Sequence, residues 1–275
     1  MTNTHDPILT VRQLTQRFGG IIANNNVNFD VQRHSITALI GPNGAGKTTV
    51  FNCVTGFYRA SEGVISLHRE DGRISQVAKL LTRPLVGGSH QVTRAGIART
   101  FQNIRLFQDM TVLENLLVAQ HRHLDGNLWR GMWASARFED RERKGVETAM
   151  QWLERLGMAH QANRLAGELP YGSQRILEIA RAMCTEPLLI CLDEPAAGLN
   201  PSETDHLASL IHLLRDEFSA TVLLIEHDMG LVMDISNHIV VLDHGEVIAQ
   251  GCPDDIRNNP KVIAAYLGTE TEEQV

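Results

Sequence analysis

Two short stretches of this sequence carry residue types that act on phosphate. The first is Gly41-Pro42-Asn43-Gly44-Ala45-Gly46-Lys47-Thr48, followed by Thr49. It fits the pattern GxxxxGK[ST], a loop that cradles a polyphosphate. A triphosphate carries several negative charges, so backbone N–H groups must converge on it. Glycines permit the unusual φ and the close approach that convergence needs. Lys47 would reach the β- and γ-oxygens, and the Thr48 hydroxyl would bind Mg²⁺. The second stretch is Leu188-Leu189-Ile190-Cys191-Leu192-Asp193-Glu194, an apolar run that ends in two carboxylates. Asp193 would hold Mg²⁺, directly or through water. Glu194 lies one residue on and points the other way, which suits a base that polarises an attacking water. Strand-terminal acids are common by themselves. Beside a phosphate loop in the same chain, this pair reads as part of one nucleotide site.

These groups require elements that place them. The apolar strand Ile36–Ile40 precedes the loop, and the helix-compatible run Thr49–Val54 follows it. The helix then aims free N–H groups and partial positive charge at the phosphates. In open α/β sheets ligands sit beyond the carboxyl ends of strands, which is where Asp193 and Glu194 fall. Further strands are expected at Leu9–Leu14, Val27–Val31, Val64–Leu67, Val222–Ile225 and Ile239–Leu242. Their alternation with helical patterns indicates an α/β core. Ile36–Ile40 and Leu188–Leu192 are almost wholly apolar and suit central strands covered on both faces. From Met110 to Gly167 the signals turn helical, with Val146, Met150 and Leu153 at helical spacing and Gly157 as a stop. Glu139 with Arg143, and Asp140 with Lys144, read as a solvated helix face. The chain is thus an α/β core interrupted by a helical insertion of roughly 60 residues. The tail Gly268–Val275 reads as frayed.

Composition narrows the classes. The chain has 275 residues, with 22 glycines and 9 prolines, too few for a collagen-like or low-complexity protein. No uncharged apolar run approaches the roughly 18 residues of a membrane span. The start, Met-Thr-Asn-Thr-His-Asp, shows no secretory signal. Cys53, Cys184, Cys191 and Cys252 form no CxxC pair and read as buried or idle thiols in a reducing cytosol, not as a disulfide frame or zinc site. His121 and His123 have no third ligand at suitable spacing and read as loop residues rather than a metal site. A net charge of −7 argues against a nucleic-acid partner and against a polybasic membrane anchor. The expectation is a cytoplasmic protein that reaches a membrane only through a protein partner.

A phosphate loop alone leaves kinases, GTPases and motors open. Leu169-Pro170-Tyr171-Gly172-Ser173-Gln174 opens a helix just before the acidic strand, and here the chain resembles an ATP-binding cassette (ABC) ATPase over nearly its whole length. In that family this segment corresponds to the signature LSGGQ, whose helix N-terminus faces the γ-phosphate held by the opposite subunit. This chain has Pro170 for the serine, Tyr171 for the first glycine and Ser173 for the glutamine, while Gly172 is retained. The resemblance implies an α/β P-loop NTPase core with a parallel or mixed sheet and an inserted helical subdomain. As a single domain over 1–275, it would have a core at about 8–105 and 170–250, a helical subdomain at about 106–169 and a C-terminal extension at 251–275. It implies that Gln102, in Arg99-Thr100-Phe101-Gln102-Asn103, contacts Mg²⁺ and water, and that His227, in Ile225-Glu226-His227-Asp228, binds the γ-phosphate. Asn200, in Ala197-Gly198-Leu199-Asn200, matches the D-loop but also suits a helix cap before Pro201. Phe18 either stacks on adenine or is a core phenylalanine. Arg33-His34-Ser35 stands where the family usually has a Gly-Glu turn.

Gly96-Ile97-Ala98-Arg99-Thr100-Phe101-Gln102, Glu194-Pro195-Ala196-Ala197-Gly198-Leu199-Asn200-Pro201, the extended helical insert near Asn127–Arg143 and the closing Val262-Ile263-Ala264-Ala265-Tyr266-Leu267-Gly268 resemble the branched-chain amino acid importers. What that implies is an ATP-hydrolysing subunit with ATP and Mg²⁺ as cofactors, sited on the cytoplasmic face of the inner membrane. Its partners would be a second ATPase subunit (itself or a homologue), membrane permeases and, indirectly, a solute-binding protein. A non-transport ABC switch, an importer for another small polar solute and a nucleotide binder with weak hydrolysis remain as alternatives.

Overall fold

The computed structural model describes residues 7–82, 87–120 and 135–270. The chain divides into two compact units, one formed by residues 1–99 with 188–275 and one by residues 100–187. The second is wider than the 106–169 segment expected from sequence and includes the helix that opens at Tyr171.

The first unit holds two sheets. One is antiparallel, in the order β2 (Ile21–Gln32), β1 (Pro7–Phe18), β4 (Glu62–His68), β5 (Ile74–Gln76). The other runs β10 (Glu246–Gly251), β9 (His238–Asp243), β3 (Ile36–Ile40), β8 (Thr221–Ile225), β7 (Leu189–Asp193), β6 (Ile97–Arg99). It is parallel except where β10 turns back on β9. Every residue of β3, β7 and β8 is buried, as their unbroken apolar runs require of strands covered on both faces. The core fills the space between Leu9, Val11, Val27 and Phe29 of the antiparallel sheet, Val50, Phe51 and Val54 of α1 (Lys47–Val54), and Leu39, Cys191, Leu223 and Val240 of the other sheet. Three strands escaped the sequence reading. β5 and β6 have only three residues each, too few to show a period, and the outer strand β10 is half exposed and weakly apolar.

The turn Arg33-His34-Ser35 explains one departure from the family pattern. His34 has φ 53°, the left-handed conformation that glycine adopts more cheaply. Its ring nitrogen is tied to the Ser219 carbonyl and its N–H donates to Thr221 Oγ1 at 3.0 Å, contacts that offset that strain.

Helices α2 (Val77–Leu81) and α3 (Ser89–Ala95) follow β5 in the first unit; in the second unit, α4 (Val112–Gln120) packs on α5 (Ser135–Arg155) and on α6 (Tyr171–Met183). Thr111 and Glu114 exchange bonds across the start of α4, the reciprocal arrangement that satisfies orphan N–H groups. α5 buries Ala149, Trp152 and Leu153, and Gly157 at φ 67° follows its end. The Glu139 and Asp140 side chains, His121, His123 and residues 271–275 fall outside what is described.

Candidate functional site

Three predicted pieces leave adjacent parallel strands at their carboxyl ends. The phosphate loop follows β3, His227 follows β8, and Asp193 with Glu194 closes β7. Register holds them level, since Asp193 lies opposite Ile225, and Ile225 opposite Leu39.

The loop owes its shape to close backbone approaches. A Cβ on Gly41 would stand 2.0 Å from the Leu242 carbonyl oxygen, and one on Gly46 would meet Asn24 Nδ2 at 2.5 Å. Gly46, at φ 93°, is the N-cap of α1 and offers no side-chain cap, so the first-turn N–H groups are left for a ligand. Asn24, fully buried in β2, donates to the Gly46 carbonyl at 3.2 Å. Asn24 belongs to a strand far from the motif, so no local pattern marks it in the sequence. Pro42 and Ala45 are buried, Asn43, Gly44 and Thr48 are exposed, and Thr49 is half-buried. Lys47 is buried and its Nζ donates to the carbonyls of Gly41 at 2.7 Å and Pro42 at 2.8 Å. Burial lowers its pKa, and the nearby Glu194 charge opposes that shift.

Asp193 is not an isolated carboxylate. Its Oδ2 accepts from Arg99 Nη2 at 2.7 Å, with both side chains 9% exposed. Arg99 also donates to Asn52 Oδ1 of the helix after the loop and to Thr55 Oγ1 at its C-cap, and its guanidinium lies over the rings of Phe51 and Phe57. Glu194 is half-buried with φ 45°, a conformation a non-glycine residue rarely adopts. Its N–H donates to the Ile225 carbonyl at 3.0 Å, which ties the end of β7 to the end of β8.

His227 is exposed through most of its side chain. The residue before it, Glu226, is fully buried and was not singled out from sequence. Its carboxylate accepts from the N–H of Ala196 at 2.7 Å and of His227 at 3.1 Å. Burial raises its pKa, and backbone N–H groups of Ala196, His227 and Asp228 pull the other way.

Phe18 is no core residue. It is 43% exposed at the end of β1, with its ring edge-on to Tyr58 at 5.2 Å. Asn200 caps α7 (Pro201–Asp216) in a reciprocal pair with Glu203, each bond 3.0 Å.

Gln102 and the Tyr171–Gln174 segment belong to the second unit. Pro170 is the N-cap of α6 and supplies no side-chain cap. Tyr171 is exposed, Gly172 is buried, Ser173 is half-buried, and Gln174 donates to the Leu169 carbonyl at 2.9 Å. Arg175, fully buried, pairs with Glu178 at 2.9 Å and donates to the carbonyls of Phe101 and Gln102. It thus joins the helix that opens at Tyr171 to the exposed Gln102. A charged i,i+3 pair on an otherwise apolar face was the available signal.

The residues fit a magnesium triphosphate. Uncapped N–H groups and Lys47 suit the anion. Among the described residues no three His, Cys, Asp or Glu side chains cluster to hold a metal. Among the described residues no helix is long and apolar enough to cross a membrane.

Comparison with known proteins gives the same picture. The family model described as ABC transporter matches residues 24–197, and that described as branched-chain amino acid ATP-binding cassette transporter matches residues 246–272. BraF of Pseudomonas aeruginosa, a high-affinity branched-chain amino acid transport ATP-binding protein, is 54% identical over 262 residues, 95% of this chain and 98% of its own. LivG of Escherichia coli K12, described in the same words, is 50% identical over 264 residues, again 95% and 98%. Among solved structures, a nucleotide-free ATP-binding cassette from an ABC transporter superposes with a TM-score of 0.77 at 30% identity, covering 95% of this chain and 99% of that one. An ADP conformation of an ATP-binding cassette does so at the same TM-score and identity, covering 96% and 99%. The match runs through the phosphate loop, the acidic strand and the closing segment alike, and the chain belongs to the ABC transporter family, as an ATP-binding protein of the branched-chain amino acid type.

Proposed function

We propose that this protein binds ATP with magnesium, hydrolyses it, and so energises the import of branched-chain amino acids through membrane permease subunits. The observation that supports this most directly is the placement of the phosphate loop, the Asp193–Glu194 pair and His227 at the carboxyl ends of three neighbouring parallel strands.

The residues divide the work by position. Gly41–Thr49 wraps the phosphates with N–H groups, and Lys47 exchanges its loop carbonyls for β- and γ-oxygens. Phe18, exposed beside Tyr58, offers a ring to adenine. Thr48 and Asp193 would hold magnesium, which when bound neutralises phosphate charge. Glu194 accepts the proton of the attacking water, and His227 donates to the γ-phosphate. Tyr171, Gly172, Ser173 and Gln174 act on the nucleotide of a second ATPase subunit, where an uncapped helix start meets an anion. Asn200, as the D-loop residue, would also act toward the second ATPase subunit. ATP favours the closed pair because it binds that state better, and hydrolysis releases it. The assembly sits on the cytoplasmic face of the membrane, and a solute-binding protein delivers the amino acid from the other side.

Glu194→Gln tests the assignment. ATP binding is expected to persist while turnover falls by about 10²–10⁴-fold, the worth of a positioned base. Turnover near the parent rate would remove Glu194 from the role.

A further inference from the structure

Glu226 has no part in the proposed division of roles, yet its side chain is wholly buried. A buried carboxylate is costly to desolvate unless something specific compensates it. Among the described residues no lysine or arginine pairs with it. Its partners are main-chain N–H groups: Ala196 at 2.7 Å, His227 at 3.1 Å, and Asp228. Ala196 lies two residues beyond Glu194, in the loop after β7. His227 and Asp228 begin the loop after β8. The carboxylate therefore spans two separate loops, one carrying the base and one carrying the γ-phosphate donor. A second link runs parallel to it, from the Glu194 N–H to the Ile225 carbonyl at 3.0 Å. The Glu226 Oε2 stands 4.0 Å from His227 Nδ1, beyond hydrogen-bond reach, so its hold on this loop runs through the main chain.

Only a carboxylate can do this. Both of its oxygens accept, so one side chain takes an N–H from each loop. A glutamine of the same shape has one oxygen, and its amide nitrogen would face an N–H it cannot accept. A hydrophobic side chain would fill the space and leave both N–H groups unpaired.

We infer that Glu226 is a positioning residue for phosphate cleavage, holding the Glu194 loop and the His227 loop in one fixed arrangement through their main-chain N–H groups. The inference rests on the proposed roles of Glu194 and His227. It places Glu226 in the cleavage step and outside nucleotide binding, because its hydrogen bonds go to the N–H groups of Ala196, His227 and Asp228 and not to the phosphate loop.

The test is Glu226→Gln in the full chain, with steady-state ATPase kinetics and equilibrium binding of a fluorescent ATP analogue. The expected result is a kcat at least ten-fold lower, with KM for ATP and the analogue Kd within about two-fold of the parent, since the effect falls on the transition state alone. Combined with His227→Ala, the loss should be well short of the product of the two single losses, because both act through one loop. If Glu226→Gln unfolds, Glu226→Asp keeps the charge, shortens the reach by one methylene and should show the same split at smaller size. A kcat within two-fold of the parent overturns the inference, as does a loss confined to Kd. Glu194→Gln run alongside separates the two readings. If it abolishes turnover and Glu226→Gln does not, only the positioning role falls. If it hydrolyses like the parent, the site assignment falls and takes this inference with it.

Discussion

Asp193 shows how one side chain serves both stability and chemistry. Its carboxylate sits at the end of a wholly buried strand, and Arg99 neutralises it at 2.7 Å. Arg99 is itself fixed by Asn52 of α1, by Thr55 at its C-cap and by two aromatic faces. The pair thus fastens the acid at the site to the helix that follows the phosphate loop. Removing one partner of a buried ion pair leaves an uncompensated charge and costs about 3–5 kcal/mol. Arg99→Met should therefore lower unfolding free energy by that order in urea titrations. A loss below about 1 kcal/mol, the range of exposed pairs, would mean that water already screens Asp193. Glu194 beside it uses a different device. Its left-handed backbone costs of order 1–3 kcal/mol and persists because Ile225 and Ala197 hold the turn from both sides.

At the level of elements, short local signals do most of the placing. Two glycines let the phosphate loop pass within contact distance of β9 and β2, and the next helix starts uncapped. Asn200 does the reverse at α7, where side chain and Glu203 close a complete cap. This cap has a measurable value. Asn200→Ala should cost about 1 kcal/mol of stability in a urea titration, whereas Asn200→Asp should cost little, because aspartate caps as well as asparagine. Equal stability for Asn200→Ala would show that α7 is held by packing of Leu207, Ile211 and Leu214 alone. In the second unit the corresponding device is internal, with Arg175 and Glu178 paired at 2.9 Å inside α6. Burial raises the Glu178 pKa, while the Arg105 N–H and the guanidinium of Arg175 draw it down.

For the whole molecule, the inserted unit leaves after β6 and returns into β7, strands paired from Ile97 opposite Leu189. Both ends of the insertion are therefore anchored on one ladder of the first unit. On the proposed reading the exposed Tyr171 and the uncapped start of α6 await the nucleotide of a second copy. Specific ATPase activity at saturating ATP should then fall as the purified chain is diluted, with a half-maximum near the pair's dissociation constant. An activity independent of concentration, from a chain shown to be monomeric by light scattering, would refute action across subunits.

The nucleotide loop, the fully buried strands β3, β7 and β8, the helix start at Asn200 and the stop at Gly157 were all legible in the sequence. Each is a local matter of spacing, apolar runs or a turn that needs a particular φ. The links that organise the site were not legible. Arg99 meets Asp193 across 94 positions, and Glu226 meets Ala196 across 30. Such pairs exist only once the parallel register sets β6 beside β7 and β7 beside β8, and nothing local to either residue encodes that register. The short strand β6 was invisible for the same reason: its three residues become a strand by pairing with β7, not by any pattern of their own.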